Sequence, residues 1–413
     1  NLFVNTHHSG LKLEVNFLNN IIRRTWAEIN LDNIKHNYNL IRKKASPKAK
    51  ICCVIKADGY GHGAVQLAKL YEELGADWFA VSNIEEALEL RQNKISLPIL
   101  ILGYTPAECA VLLAQNNIAQ ACYSLEYAEG LSDCAKRNNV TVNIHLKLDT
   151  GMSRIGLMCQ SFQRDCKSID TAEKICRLSN LHPQGVFTHF AVSDEADDGR
   201  NFTMQQFNCF MHTIEQLEKR GIRFEIRHCA NSGAIIDYPE THLDMVRAGI
   251  ILYGLSPSCK LKGKLDLIPA MELKSVVSLV KEIEEGSTVS YGRTYTAPKR
   301  LKAITVPVGY ADGYIRAIGK EGYVTVHGKK AKILGRICMD QLIADAAEID
   351  NVKMNDEVLL FGNGKNGHIP TADDIAKWTD TINYEVVCLV SKRVARVYLQ
   401  NGKEVGTVDH LLK

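Results

Sequence analysis

The sequence predicts a (β/α)8 barrel followed by a C-terminal, mainly β domain. Three observations point there. Eight short apolar runs rich in β-branched residues recur between residues 51 and 254. Helix-like stretches separate them. After about residue 265 the helical pattern gives way to short strand-like runs divided by Gly-rich or charged turns. Eight strands alternating with helices over roughly 200–250 residues is the rhythm of such a barrel. A doubly wound open sheet is the competing arrangement.

The eight runs are ICCVIKAD (51–58), WFAVS (78–82), PILILGY (98–104), QACYS (120–124), NIHLKLD (143–149), PQGVFTHF (183–190), IRHCANS (226–232) and MVRAGIILYG (245–254). Most are continuously apolar, as expected of strands buried on both faces. Residues 84–92, 107–115, 125–137 and 205–220 carry apolar side chains three and four apart, the spacing of amphipathic helices. Only the interval before the last strand is too short for a long helix. In the second part, 372–380 is a helix signal among strands. The implied division is a leader or junction segment over 1–21, a barrel over 22–265 and a β domain over 266–413.

Bulk properties narrow the function. The chain has 413 residues, 46% hydrophobic and 23% charged, the balance of a soluble globular protein of two or three domains. A net charge of +3 without a dense basic run gives no reason to expect nucleic acid or anionic lipid. No apolar run approaches the roughly 18–20 residues that span a bilayer. The 13 cysteines form no CxxC pair, so neither a zinc site nor a disulfide framework is expected. Cys52 and Cys53 read as small core residues, and the chain as a cytoplasmic one with reduced thiols.

Barrels of this kind build their sites at the C-terminal ends of the strands, with phosphate groups often held after strands seven and eight. Polar residues cluster at those ends. Lys56 ends strand one, Lys147 and Asp149 strand five, and His189 strand six. Asn231 and Ser232 end strand seven; Arg247 lies on strand eight, with Gly249 just beyond. Each has a bland reading: a turn lysine, a core histidine, an arginine paired with Asp244. Their convergence on one end is what suggests chemistry. A lysine whose pKa is lowered by burial or a neighbouring cation is a nucleophile and forms Schiff bases with carbonyls. The carbonyl can belong to a substrate, as in an aldolase, or to pyridoxal phosphate (PLP). Ser232 and the amides near Gly249 could hold a phosphate, and Arg247 could face a ring nitrogen. The glycines of GYGHG (59–63) resemble a phosphate loop only weakly.

These residues, taken with several motifs in order, resemble the alanine racemase family from TWAEINLDNIKHNY (25–38) to SKRVARVY (391–398). The resemblance implies a PLP enzyme with a barrel and a β domain, racemising a small amino acid, foremost L-alanine to D-alanine for peptidoglycan. Within VIKADGYGHG it implies that Lys56 carries PLP as a Schiff base and that Tyr60 touches the phosphate. Within HLKLDTGMSRIG (145–156) it implies that Lys147 is the lysine often carbamylated, holding Arg154 toward the substrate carboxylate. His189 would lie near the ring, Arg247 would bond its nitrogen, and Asn231, Ser232, Gly249, Ile250 and Tyr384 would serve the cofactor. Tyr291 in VSYGRTY would be the second catalytic base, opposite Lys56, and Met339 and Asp340 would line the substrate entrance. The second base would come from the partner of a homodimer.

Two features leave the substrate open. Asn383 precedes Tyr384 where many members have proline, which reads either as drift or as a changed pocket. The long segment before Arg23 also suits serine racemases of the vancomycin-resistance type, whose racemase follows a membrane domain. A PLP decarboxylase and a non-catalytic PLP-binding protein are the other readings. The former would lack the tyrosine equivalent to Tyr291, and the latter the β domain.

Overall fold

Continuous burial of the apolar runs decides the first domain. In the computed structural model, which describes residues 22–162, 165–364 and 368–412, each of the eight runs overlaps one strand. The strands are Lys50–Val54, Trp78–Val81, Ile99–Ile101, Ile118–Cys122, Val142–Asp149, Leu181–Phe187, Ile226–His228 and Met245–Ala248. They pair in that order, all parallel, and the eighth returns to the first, with Val246 opposite Ile51. Between the seventh and eighth the ladder thins, but two bonds bridge the seam: Arg247 N–H to Ala230 O at 3.0 Å and Asp244 N–H to Arg227 O at 3.2 Å. The sheet is therefore a nearly closed barrel, not an open doubly wound sheet. Cys52 and Cys53 are fully buried in it.

The intervening helices form where the apolar spacing predicts. Ile84–Gln92 begins at Asn83, whose side chain accepts the Glu86 amide, and Leu125–Arg137 begins at Ser124, which accepts from Tyr127. Such N-caps satisfy amides that a helix start leaves unpaired. The 205–220 stretch lies within a longer helix, Asp197–Lys219. The 107–115 stretch starts as a 3-10 turn and becomes α-helical only at Ala110–Gln115. The short last interval holds only the six-residue helix Ser232–Asp237 before a 3-10 turn.

The second domain is built on a seven-stranded sheet with a separate three-stranded sheet of Leu279–Ile283, Leu301–Val306 and Leu342–Asp345. One element differs from the sequence reading. Thr25–Asn30, expected within the barrel domain, is a central strand of the seven-stranded sheet. It runs antiparallel to Met271–Val276 and parallel to Ala395–Gln400. The reason is non-local: both of its edges are filled by strands more than 240 residues away in sequence. Asn30 then ends the strand and caps helix Leu31–Lys44, accepting the Asn33 amide. From Thr25 onward the chain thus runs through the second domain's sheet, makes the barrel and returns. A second helix there, Asn383–Cys388, follows the expected Ala372–Thr379. Among the described residues no helix is long and apolar enough to cross a membrane.

The second domain grips the loop after the first barrel strand. Arg396, 1% exposed, donates to the carbonyls of Gly61 (3.0 Å), Val390 (2.6 Å), Ser391 (2.7 Å) and Val394 (2.5 Å). A side chain at Gly61 would overlap the Val387 carbonyl, and one at Gly63 the Tyr398 hydroxyl. Glycine is required at both because the second domain packs directly on the loop backbone there, through a carbonyl at Gly61 and a tyrosine hydroxyl at Gly63, and both have positive φ. Leaving several buried carbonyls unpaired costs about 1–3 kcal/mol each at most. Arg396→Ala is therefore expected to lower unfolding stability by roughly 3 kcal/mol or more, read by chemical denaturation followed by circular dichroism.

Candidate active site

Lys56 sits two residues beyond the first barrel strand, at the head of a turn. Its amine is held below the ordinary lysine value, chiefly by burial and then by the charge of Arg154. The four residues after it, Ala57, Asp58, Gly59 and Tyr60, have φ of 52°, 52°, 61° and 52°. They form one turn of left-handed helix, closed by Gly59 N–H to Ile55 O (2.8 Å) and Gly61 N–H to Ala57 O (2.9 Å). This is why the GYGHG glycines do not make a phosphate loop. The turn brings the Tyr60 ring against Tyr253, 4.9 Å between centroids, and near Tyr384 at 6.1 Å. Burial pushes both the Tyr60 and Tyr384 phenols up, so they stay protonated donors.

The loops after strands seven and eight meet this turn. Gly249 N–H donates to Ser232 Oγ at 3.0 Å. A Cβ on Gly249 would stand 3.2 Å from the Tyr60 hydroxyl and 3.5 Å from Ser232 Oγ. The bare glycine thus leaves a small cradle rimmed by two hydroxyls. Ile250, fully buried, begins the 3-10 turn behind it. Asn231 also has a structural use. Its Oδ1 accepts from Ala234 N–H (3.0 Å) and Ser193 Oγ (2.7 Å), capping the following helix.

Arg247 is 3% exposed and has no carboxylate among its hydrogen-bond partners. It donates to the Thr188 carbonyl (2.8 Å), the Cys229 carbonyl (3.1 Å), His228 Nδ1 (2.8 Å) and, more loosely, His189 Nδ1 (3.4 Å). A guanidinium only donates, so both imidazoles accept through Nδ1 and carry their proton on Nε2. His228 passes the pattern on, donating from Nε2 to His145 Nδ1 at 2.9 Å. Gly185 makes room for that ring, since a Cβ there would come 2.5 Å from His145 Nδ1. Burial, and after it the Arg247 charge, keep His189 and His228 well below the ordinary histidine value. Burial lowers Arg247 itself to about 10, which still leaves it charged at neutral pH.

Lys147 is also buried, with Nζ donating to Leu148 O at 2.9 Å and lying 5.1 Å over the Phe187 ring. Burial first, and the Arg247 charge second, bring it down to about 7. Asp149 accepts from Gly151 and Ser153 amides, both at 3.0 Å, and so shapes the loop that carries Arg154 to the exposed mouth. Asn383 donates to Ser256 O (3.0 Å) and Asp373 Oδ1 (2.8 Å), bonds a proline could not make, anchoring the helix that bears Tyr384.

Lys56, Lys147, Arg154 and Arg247 thus crowd one barrel mouth, where Arg154 lowers the proton affinity of the other three and Arg247 that of Lys147. Such a set favours a ligand carrying several negative charges. The hydroxyl-rimmed cradle at Gly249 suits a phosphate group and Lys56 suits an aldehyde, so the residues fit PLP. Tyr291 is not brought to this mouth within the chain. It lies on a turn of the second domain, 67% exposed. Met339 is 52% exposed and Asp340 pairs with Arg393 at 2.8 Å. The sequence reading missed His228, His145 and Glu86. The first two were visible only as histidines inside apolar runs.

Comparison with known proteins agrees with this geometry. Residues 29–257 match the family described as alanine racemase, N-terminal domain, and residues 270–398 its C-terminal domain. An alanine racemase of Desulfovibrio desulfuricans is 46% identical over 378 residues, covering 92% of this chain and 99% of that one. The solved alanine racemase of Clostridium difficile 630 superposes with a TM-score of 0.89 at 43% identity, covering 95% of this chain and 100% of that one. That of Bacillus anthracis, solved with bound L-Ala-P, gives 0.87 at 32% identity, covering 95% and 99%. With both halves matched in order and the barrel mouth furnished for the cofactor, the chain belongs to the alanine racemase family of PLP-dependent isomerases.

Proposed function

We propose that this chain interconverts L- and D-alanine, supplying D-alanine for peptidoglycan from the cytoplasm, with Lys56 and Tyr291 as its two bases. The observation that carries the reading is the meeting of Lys56, the Tyr60–Ser232–Gly249 cradle and a carboxylate-free Arg247 at one barrel mouth. Alanine is preferred over serine because the relatives matched along nearly the whole chain are alanine racemases. The matched C-terminal domain disfavours a PLP-binding protein without catalysis.

Bound PLP withdraws electrons from the carbon bearing the amino group and so acidifies its proton. The protein's residues do the rest. Tyr60 and Ser232 would hold the phosphate through their hydroxyls, with Gly249 leaving the room. Arg247, pinned by Thr188, Cys229 and His228, would donate to the ring nitrogen and give up no proton there. Arg154 at the mouth orients the substrate carboxylate. Burial and Arg154 favour a neutral Lys56 amine, which moves a proton on one face. Tyr291 serves the other face. Because it is exposed on the second domain, it serves the site of a partner subunit, where a cationic mouth would stabilise the phenolate it must become. Met339 and Asp340 accompany it at the entrance, and Tyr384 narrows the phosphate side.

Assay of the purified holoenzyme with L-alanine and L-serine side by side tests the reading; faster turnover of serine would overturn the assignment. Lys56→Ala is expected to abolish racemisation. Tyr291→Phe is expected to slow proton transfer from one enantiomer by about 100-fold or more, the scale of a lost general base, with cofactor content unchanged. Specific activity is expected to fall on dilution through the dimer dissociation constant; constant activity in a sample shown to be monomeric would remove the shared site.

Lys147 carries a separate expectation. Carbamylation joins its neutral amine to CO2 with release of a proton. With the amine near 7, the reactive form dominates above that pH and vanishes below it. Carbamate occupancy, read by carbon NMR with labelled bicarbonate, is expected to rise between pH 6 and 8 and to be absent in Lys147→Arg.

A further inference from the structure

The left-handed turn after Lys56 contains three non-glycine residues, Ala57, Asp58 and Tyr60. Left-handed helical geometry costs roughly 1–2 kcal/mol for each such residue. The turn's own bonds begin at Gly59, so the Ala57 amide, next to Lys56, receives no carbonyl from within it. It donates instead to Glu86 Oε1 at 2.6 Å. The other oxygen, Oε2, accepts the Ser82 amide at 2.7 Å. Ser82 directly follows the second barrel strand, and Glu86 lies in the first turn of helix Ile84–Gln92. The backbone of Glu86 is fixed by the helix cap, as its amide donates to Asn83 Oδ1 at 3.0 Å. Asp58 Oδ1 secures the far end of the turn by accepting Ala64 N–H at 2.9 Å.

We propose that Glu86 is a positioning residue for the reaction: its two carboxylate oxygens clamp the ends of the first and second barrel strands and hold the strained turn that aims Lys56 and Tyr60. It is assigned no contact with cofactor or substrate. Its charge also counters that of the neighbouring cations on the Lys56 amine and disfavours ionisation of the Tyr60 phenol. The inference rests on the assignment of Lys56 as the PLP-binding lysine.

Its geometry makes the conservative variant informative. A carboxylate accepts two amide protons, whereas the amide of glutamine has one acceptor oxygen and an NH2 that would face a second N–H. Glu86→Gln therefore keeps one clamp bond and Glu86→Ala neither. Hydrogen bonds to a charged group are strong enough that losing one or two weakens the held geometry by about ten- to a hundredfold.

The test compares wild-type, Glu86→Gln and Glu86→Ala holoenzymes by hydrogen exchange, PLP release and steady-state kinetics. Glu86→Ala is expected to speed exchange in peptides covering Ala57 and Ser82 while leaving helix Asp197–Lys219 protected. PLP release is expected to quicken, and kcat for alanine to fall, each by about ten- to a hundredfold, with KM changed far less. Glu86→Gln is expected to fall between. Wild-type PLP release and kcat in Glu86→Ala would overturn the inference, as would faster exchange spread over the whole barrel, which would mark a merely structural residue. Reductive trapping of PLP on the wild-type protein, followed by peptide mapping, separates the two claims. PLP fixed on a residue other than Lys56 would overturn the site assignment itself. PLP on Lys56 with an indifferent Glu86→Ala would overturn only the role of Glu86.

Discussion

The left-handed turn from Ala57 to Tyr60 is the constraint around which the rest of the molecule is arranged. It sits where the first barrel strand ends, and it turns Lys56 and Tyr60 toward the same mouth. Such backbone is unfavourable for three of its four residues, so it persists only because its surroundings fix it. Glu86 and Asp58 hold it from the barrel side. Arg396, Val387 and Tyr398 hold the following glycines from the second domain. The contact between domains is therefore part of the site, and side chains at Gly61 or Gly63 would force it apart.

Charge balance gives the second organising fact. Four basic side chains face one mouth, while Asp149 nearby is occupied with backbone amides. Histidines 189, 228 and 145 are kept neutral by burial, so they orient Arg247 without neutralising it. Low-dielectric surroundings make such repulsion costly, and a phosphate and a substrate carboxylate relieve it. Burial first, and then the same crowding, brings the Lys147 amine down to about 7. The protein thus carries in its folded state a positive field that its anionic ligands complete.

Much of the site was legible before folding because strand ends are legible. A continuously apolar run that stops at a polar residue marks the end of a barrel strand, and Lys56, Lys147, His189, Ser232 and Arg247 were found that way. Asn231 was found by the same rule, yet its oxygen caps the helix behind Ser232. Residue type and place did not reveal where its hydrogen bonds go. Glu86 sat in a sequence that reads only as an amphipathic helix, so its amide contacts to Ala57 and Ser82 had no local signature. His145 and His228 read as polar interruptions of strands, and their pairing across two strands needs the parallel register of the sheet.

By itself, the sequence determined the alternation of strands and helices, the change to a β domain and the end of the barrel where chemistry gathers. These follow from side-chain periodicity, which is a property of neighbours along the chain. Only the tertiary structure decided that Thr25–Asn30 belongs to the second domain's sheet, that the turn after Lys56 is left-handed, and that Tyr291 stands exposed, away from its own barrel mouth. Each depends on hydrogen bonds or packing between segments distant in sequence, and such pairings leave no period for a local pattern to display.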